Sequence, residues 1–409
     1  MRKARRCRRP RSRNWTAYGT SQNGKKRMQA ELQQELSRRL FAHLDAGTTD
    51  VWPEVVRQPV SAYTCPERAE RENQELFRRR PLFVGLSGLL PNPGDWITSD
   101  ETGIPLLIVR GRDGELRAFA NVCRHRGARL VEGRGCGAAS FSCPYHGWTY
   151  DLEGRLIGLP DERNFPGVER DGHRLAPVPV AEKHGMVFVQ ATPGEPFDVD
   201  ELLEGMAAEL APYRLEGWTP YSSRRFDFSM NWKIAVDTFL EPYHFPFLHK
   251  DTVASIFIGN LCLYDGFGPH LREVLPRHGL REMREKPPED WDLVDNSALV
   301  YVFFPNTAFI VQKDHMEVWR CFPKKGGGPG ASTVLFDFYI PEPVRGEKAR
   351  IHWDKNVDLA VRTVIEEDFP TGETIQAGFA AGVNAHVTIG QNEPAVAHFE
   401  TTANRYAAA

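Results

Sequence analysis

No stretch of this chain approaches the roughly 20 apolar residues that a membrane span requires; the longest, Leu299 to Phe304 (LVYVFF), has the length of a strand. No glycine-rich nucleotide fingerprint is present, so a dinucleotide site is expected on another protein. Net charge is nearly absent, −3 over 409 residues, which gives no general pull toward nucleic acid or an anionic membrane. Cysteine is scarce, and seven residues in a chain this long do not make a disulfide framework. Five of them (Cys7, Cys65, Cys136, Cys262 and Cys321) show no pairing pattern and read as free thiols of a reducing, cytoplasmic compartment. Acidic residues are missing from the first 30 positions, which carry eleven Lys/Arg; the first acid is Glu31. Residues 1–30 read as a solvated, disordered basic tail, with a basic arm or a transit-like presequence as the alternatives.

The rest of the composition, 41% hydrophobic and 26% charged, is that of an ordinary globular chain, and the length allows two or three domains. Residues 28–45 set Leu32, Leu36, Leu40 and Leu44 at helical spacing, and residues 66–80, rich in Glu and Arg, predict a second helix. From residue 82 the texture changes to short strands. IPLLIVR (104–110) and ELRAFANV (115–122) flank the turn Arg112-Asp113-Gly114, TYDLEGRLIGL (149–159) turns at Glu153-Gly154, and GMVFVQA (185–191) is a further apolar strand. Residues 198–211 predict a helix capped by Asp198. SALVYVFFP (297–305), NTAFIVQK (306–313), HMEVWRCFP (315–323) and ASTVLFDFYIP (331–341) predict antiparallel strands, with Lys324 to Gly330 as a hairpin loop; residues 346–368 predict a long helix. The expected fold is therefore α+β. A helical segment over 31–81 packs on the catalytic domain, a small all-β domain spans 82–195, and 196–409 holds an antiparallel sheet flanked by helices.

Two clusters carry chemistry. In the all-β region, Cys123-x-His125 and Cys143-x2-His146 lie seventeen residues apart. Two thiolates and two imidazoles suit a structural zinc or a Rieske [2Fe–2S] centre, in which each loop supplies one Cys and one His. The flanking residues, Arg126-Gly127 after the first pair and Gly147-Trp148 after the second, resemble the Rieske signature and not a zinc finger. About a hundred residues on, Glu241 and His244 stand at i, i+3, one face of a helix. His249 is five further on, and Pro246 between them predicts a break in the helix that brings both rings to one metal. The other histidines, among them His184, His270, His278, His315 and His352, read as ordinary core or surface residues.

The stretch Asn231, Trp232, Lys233, Asp237, Glu241, Tyr243, His244 and His249 resembles the iron-binding segment of the α subunits of Rieske non-haem iron oxygenases, the aromatic ring-hydroxylating oxygenase family. The order of the two clusters agrees, and the resemblance covers roughly residues 60–400. It implies a Rieske cluster on Cys123, His125, Cys143 and His146, and a mononuclear Fe(II) on His244, His249 and a downstream aspartate. That aspartate falls in Glu366-Glu367-Asp368, ahead of Glu373 and Gln376; the role is carried to Asp368, with Glu366 and Glu367 as alternatives. Glu241, Asp237 and Asn231 are the candidate catalytic residues. Glu241 takes the family's bridging-carboxylate position, which links the iron ligand to a Rieske histidine of a neighbouring subunit. Aspartate is commoner there, and asparagine is frequent at Thr238, so both are departures. Ala128 and Tyr145 stand where respiratory Rieske proteins carry an extra cysteine pair.

The resemblance further implies electrons from NAD(P)H delivered by a partner reductase, possibly through a ferredoxin, O2 as co-substrate, and a homotrimer, with no nucleic-acid or membrane partner. The expected reaction is hydroxylation of an aromatic substrate. Monooxygenation or demethylation of a quaternary ammonium compound is the alternative, since Glu241 resembles that group and aromatic side chains suit a trimethylammonium as well as a ring. Phe239, Phe245, Phe247, Tyr301, Phe303, Phe304 and Phe309 are the candidate pocket aromatics. An electron carrier without mononuclear iron and a zinc-stapled binding protein are the competing classes.

Overall fold

A computed structural model describes residues 28–408; the basic segment falls outside the described residues as far as residue 27. The alternating apolar strands of the second half form a seven-stranded antiparallel sheet. Its order is Thr219–Phe228, Ser332–Ile340, Met316–Pro323, Thr307–Val311, Ser297–Phe303, His270–Pro276, Leu263–Phe267. Side chains alternate between its faces. Ala298, Val300, Val302, Ala308 and Ile310 pack with the helices Trp232–Asp237, Glu347–Val361 and Pro394–Ala408 on one side. Leu299, Tyr301, Phe303, Phe309 and Val311 face a second core on the other. The helix Ala30–Ala46 covers that second face with Leu36, Leu40 and Phe41.

A three-stranded sheet, Val180–Lys183, Met186–Gln190 and Pro81–Leu86, joins the two halves. Its Phe83, Met186 and Phe188 enter the second core of the large sheet. Val84, Val187 and Val189, on its opposite face, meet Leu106, Ile108 and Ala118 of a five-stranded sheet. A strand buried on both faces reads as a continuous apolar run, as in PLFVGL and MVFVQ. The five-stranded sheet and a small sheet of Phe141–Ser142, Thr149–Tyr150 and Leu156–Gly158 enclose a separate core with Cys123, Cys143, Trp148 and Tyr150.

Three helices differ from expectation. Residues 198–211 form two short helices, Val199–Leu202 and Met206–Leu210, split where Gly205 turns left-handed at φ 93°; Asp198 caps the first by accepting from the N–H groups of Asp200 and Glu201. Residues 66–80 run as Pro66–Glu72 and then a wider π-turn, Asn73–Arg78. The long helix Glu347–Val361 does not stop at 368 but continues through a π-turn, Arg362–Asp368, into Phe369–Ala380. Pro370 has no N–H and its ring crowds the carbonyl four residues back, so the turn ahead of it widens. No helix among the described residues is long and apolar enough to cross a membrane. Cys65, Cys262 and Cys321 are free thiols; Cys136, also expected to be free, is not, and Cys7 lies outside the described residues.

Candidate functional site

Asn231 opens the helix Trp232–Asp237 as its cap. Its Oδ1 accepts from the Lys233 N–H at 2.9 Å, and its Nδ2 donates to the carbonyls of Pro329 and Tyr63 at 2.8 and 3.2 Å. The next two residues anchor the helix: Trp232 Nε1 donates to Glu72 at 3.1 Å, and the Lys233 ammonium sits 2.7 Å from the same carboxylate, both buried. Asn231 is thus a buried helix cap that does not line the cavity described below; a cap and a catalytic amide are indistinguishable in sequence. Asp237, also expected to be catalytic, is buried against Glu400, which takes hydrogen bonds from Tyr63 (2.8 Å) and Gln58. Burial and the Glu400 charge, opposed by Lys233, hold its carboxyl well above the usual range. Neither acid lines the cavity described below.

The helix ends at Asp237, earlier than expected, and a one-turn helix Phe245–Leu248 follows. Pro246 occupies the first turn of that second helix, where no N–H is needed, so it starts a helix rather than breaking one. His244 is the residue before this turn and His249 the residue after it. One helical turn between them brings the rings to 4.8 Å between centroids.

The Nε2 atoms of His244 and His249 lie 3.0 Å apart, and Asp368 Oδ1 is 3.4 and 3.1 Å from them. Ligand atoms about 2.1 Å from a metal and at right angles to one another stand about 3.0 Å apart. The trio therefore matches one face of an octahedron, the two-His-one-carboxylate arrangement of non-haem iron(II) sites, and it is the one metal-capable cluster of this kind among the described residues. Glu366 is exposed, and Glu367 instead accepts from His249 Nδ1 at 2.6 Å and Thr252 Oγ1 at 2.7 Å. Glu241 bonds His244 Nδ1 and accepts its backbone N–H at 3.0 Å. Each imidazole thus donates its outer N–H to a carboxylate and turns the Nε2 lone pair inward. Burial disfavours charge on His244, but Asp368 and Glu241 outweigh it and push the ring up to about 10; His249 is raised for the same reasons, by Asp368 and Glu367. A site that attracts positive charge this strongly fits a divalent cation.

The trio lies in the wall of a cavity of about 320 Å³. Near it are Phe239, Phe245, Val253, Phe257, Val300, Ile310 and Val364; Arg277, Gln312, Lys313, Asp314, His315, Glu317 and His352 add a polar wall. Phe239 and Phe245 were expected there. Phe247 is 68% exposed instead, and Tyr301, Phe303 and Phe309 face the opposite core because their strand positions are odd where the cavity takes even ones. Phe304 packs against Phe399 and Tyr406. The polar wall was missed: His315 and His352, read as ordinary, line it, and no local spacing marks Arg277 or Gln312.

In the all-β half, two loops repeat one geometry. Cys123 N–H donates to the Ala128 carbonyl (2.8 Å) and Gly127 N–H back to Cys123 (2.9 Å); Cys143, Trp148 and Gly147 repeat this at 2.8 and 3.0 Å. Gly127 and Gly147 take φ of 78° and 74°, which glycine adopts without strain. Cys123 and Cys143 are buried, while His125 and His146 lie toward the surface with ring centroids 4.7 Å apart. Burial raises the Cys143 thiol, against backbone N–H groups of Tyr145 and His146 directed at its sulfur. The Tyr150 hydroxyl meets Cys123 Sγ at 3.5 Å. Donors aimed at sulfur are what a Rieske cluster uses, and His125 Nδ1 is buried without a hydrogen-bond partner, as a metal ligand nitrogen would be.

Comparison with known proteins agrees with this geometry. Residues 81–179 match the Rieske [2Fe-2S] domain family, and residues 215–409 the ring hydroxylating alpha subunit (catalytic domain) family. The carnitine monooxygenase oxygenase subunit of Acinetobacter baumannii is 32% identical over 329 residues, 78% of this chain and 84% of its own length. The glycine betaine monooxygenase oxygenase subunit of Chromohalobacter salexigens is 31% identical over 218 residues, 52% of this chain; here the chain spans about half, 48%, of the relative's length. A crystal structure of a quaternary ammonium Rieske monooxygenase with L-carnitine superposes with a TM-score of 0.73 at 24% identity, covering 87% of this chain and 96% of that one, which establishes the shared fold. The chain belongs to the Rieske non-haem iron oxygenases, among the ring-hydroxylating α subunits.

Proposed function

We propose that this chain is the terminal oxygenase component of a system in which a separate NAD(P)H reductase, directly or through a ferredoxin, supplies electrons, and that it oxidises a quaternary ammonium compound with O2. The observation that carries the reading is the convergence of His244, His249 and Asp368 in the wall of a cavity, in one chain with the Cys123/His125/Cys143/His146 quartet. When bound, a [2Fe–2S] cluster supplies single electrons and Fe(II) supplies O2 activation. The chain's own residues do the rest. Buried Cys123 and Cys143 and the more exposed His125 and His146 would hold the cluster. Glu241 and Glu367 fix the tautomers of the iron histidines. The apolar wall of Phe239, Phe245 and Val364 keeps bulk water from the reacting end.

One observation favours the quaternary ammonium over the aromatic ring: the relatives reported above are monooxygenase subunits named for carnitine and glycine betaine. Phe239, Phe245 and Phe257 line the cavity, and their ring faces accommodate a trimethylammonium group as well as an aromatic ring. The family resemblance implies a homotrimer, and the placement of surface groups is compatible with contact between copies. Exposed Tyr145 flanks His146, and exposed Tyr243 and Phe247 flank Glu241, so contact between copies would let Glu241 take a hydrogen bond from a cluster histidine of its neighbour.

The test is a single turnover. The protein is purified without oxygen, the cluster is reduced chemically, and a mixture of quaternary amines and aromatic acids is added with O2. Hydroxylated or demethylated amine in the mass spectrum is the expected result. Hydroxylated aromatic acid alone would return the function to ring hydroxylation, and a cluster that reduces in a protein unable to load Fe(II) would favour the electron carrier.

A further inference from the structure

The cavity face of the large sheet changes character along its strands. Leu275 pairs with Ala298, Val300 with Ile310, and Ile310 with Glu317. Two residues further on, about 7 Å along a strand, the same face carries Arg277 and Gln312. The polar side chains there are mostly engaged. Asp314 is held between His315 (2.8 Å) and His352 (2.7 Å). Glu317 accepts from Gln312 (3.1 Å) and Trp319 (3.2 Å), and its Oε1 lies 3.3 Å from His315. Lys313 is 3.4 Å from Asp295.

Arg277 is different. Its Nη2 donates to the uncharged Gln312 Oε1 at 2.5 Å, and its guanidinium lies 5.3 Å from the Phe257 ring centroid. Its Nε is buried with no acceptor. Among the described residues no carboxylate lies within ion-pair distance of it. Burial lowers its pKa even with Asp314, Glu317 and Asp295 in the vicinity. A desolvated guanidinium without a counter-ion is costly, and its planar fork matches a carboxylate.

We propose that Arg277, oriented by Gln312, anchors an anionic group of the substrate, so that the cavity takes a zwitterion: a trimethylammonium head beside His244, His249 and Asp368, and a carboxylate at Arg277. The inference rests on the reading of this cavity as the substrate site.

The test uses matched probes that differ only in charge: 4-(trimethylammonio)butyrate against its methyl ester, and benzoate against methyl benzoate. Binding to the oxygen-free holoprotein is measured by calorimetry, with no electrons supplied, so that the readout is independent of turnover. A charged hydrogen bond contributes enough for the butyrate to bind roughly ten- to a hundredfold more tightly than its ester. Arg277→Gln should collapse that ratio toward one and Arg277→Lys should retain part of it. Gln312→Glu sets an internal carboxylate against the guanidinium and should also collapse it, which keeps the idea testable if Arg277→Gln folds poorly. A ratio near one for both pairs in the unaltered protein, or a preference that survives Arg277→Gln, overturns the anchor. An Arg277-dependent preference confined to the benzoate pair keeps the anchor and removes the quaternary ammonium reading. Equal turnover and binding of butyrate and ester keeps that reading and removes the anchor.

Discussion

Replacing Glu367 should weaken iron binding without touching an iron ligand. Its Oε2 accepts from His249 Nδ1 at 2.6 Å and Thr252 Oγ1 at 2.7 Å. His249 is 1% exposed, so water has little access to replace the lost acceptor. In Glu367→Ala the imidazole loses the partner that keeps its proton on Nδ1, and the tautomer with a protonated Nε2 cannot ligate. Loss of such an outer partner costs about 10- to 100-fold in metal affinity, or roughly 1.4 to 2.7 kcal/mol. Glu367→Gln keeps an acceptor oxygen but loses the charge. The difference between a charged and a neutral hydrogen bond, about 1 kcal/mol, predicts a loss of roughly fivefold. Thr252→Val removes the second donor only and should have the smallest effect. The assay is competition for Fe(II) against a chelator of known affinity, with the visible spectrum of the Rieske centre as an internal control for folding. Fe(II) affinity within twofold of the unaltered protein in Glu367→Ala, with an intact spectrum, would refute the reasoning.

Lys233→Met should destabilise the catalytic half by about 3–5 kcal/mol, because it leaves the Glu72 carboxylate buried with one cation fewer; adding Glu72→Leu should recover part of this in denaturant unfolding. Glu241→Gln should weaken Fe(II) roughly fivefold by the same reasoning, yet at saturating Fe(II) it should reduce product in the single-turnover assay about tenfold or more, and a normal yield would remove Glu241 from any path between copies. His270 is pushed down to about 4 by burial, with Nε2 donating to the Leu202 carbonyl at 2.7 Å and Nδ1 accepting the Phe304 N–H at 3.0 Å. A depressed histidine contributes stability that is fully present above its unfolded value near 6.5 and is lost as pH falls toward 4. About 2 kcal/mol should therefore be lost between pH 7 and 5. His270→Asn, less stable at pH 7, should show a correspondingly flatter decline in its denaturant midpoint.

Much of the fold was legible because it depends on local rules. Leu32, Leu36, Leu40 and Leu44 announced the first helix, and the short apolar runs of 297–341 announced the large sheet. The failures share a cause. Gly205 splits a helix that composition alone would continue, and Pro370 widens a turn inside one that spacing would end. The aromatics of 301–309 were assigned to the pocket without regard to which face each strand turns toward it.

The sequence by itself determined the donor chemistry: two Cys/His pairs at loop spacing, two histidines one helical turn apart, and an acidic run more than a hundred residues later. Those features are short-range or compositional, so the chain states them directly. Only the tertiary structure decided which of Glu366, Glu367 and Asp368 meets the histidines, because three neighbours on a helix point in three directions and the packing of that helix chooses among them. It also turned Asn231 into a cap, buried Asp237 against Glu400, and brought Arg277 and Gln312 together from two strands. Such pairings depend on register and on contacts between residues far apart in the chain, and no local pattern encodes them.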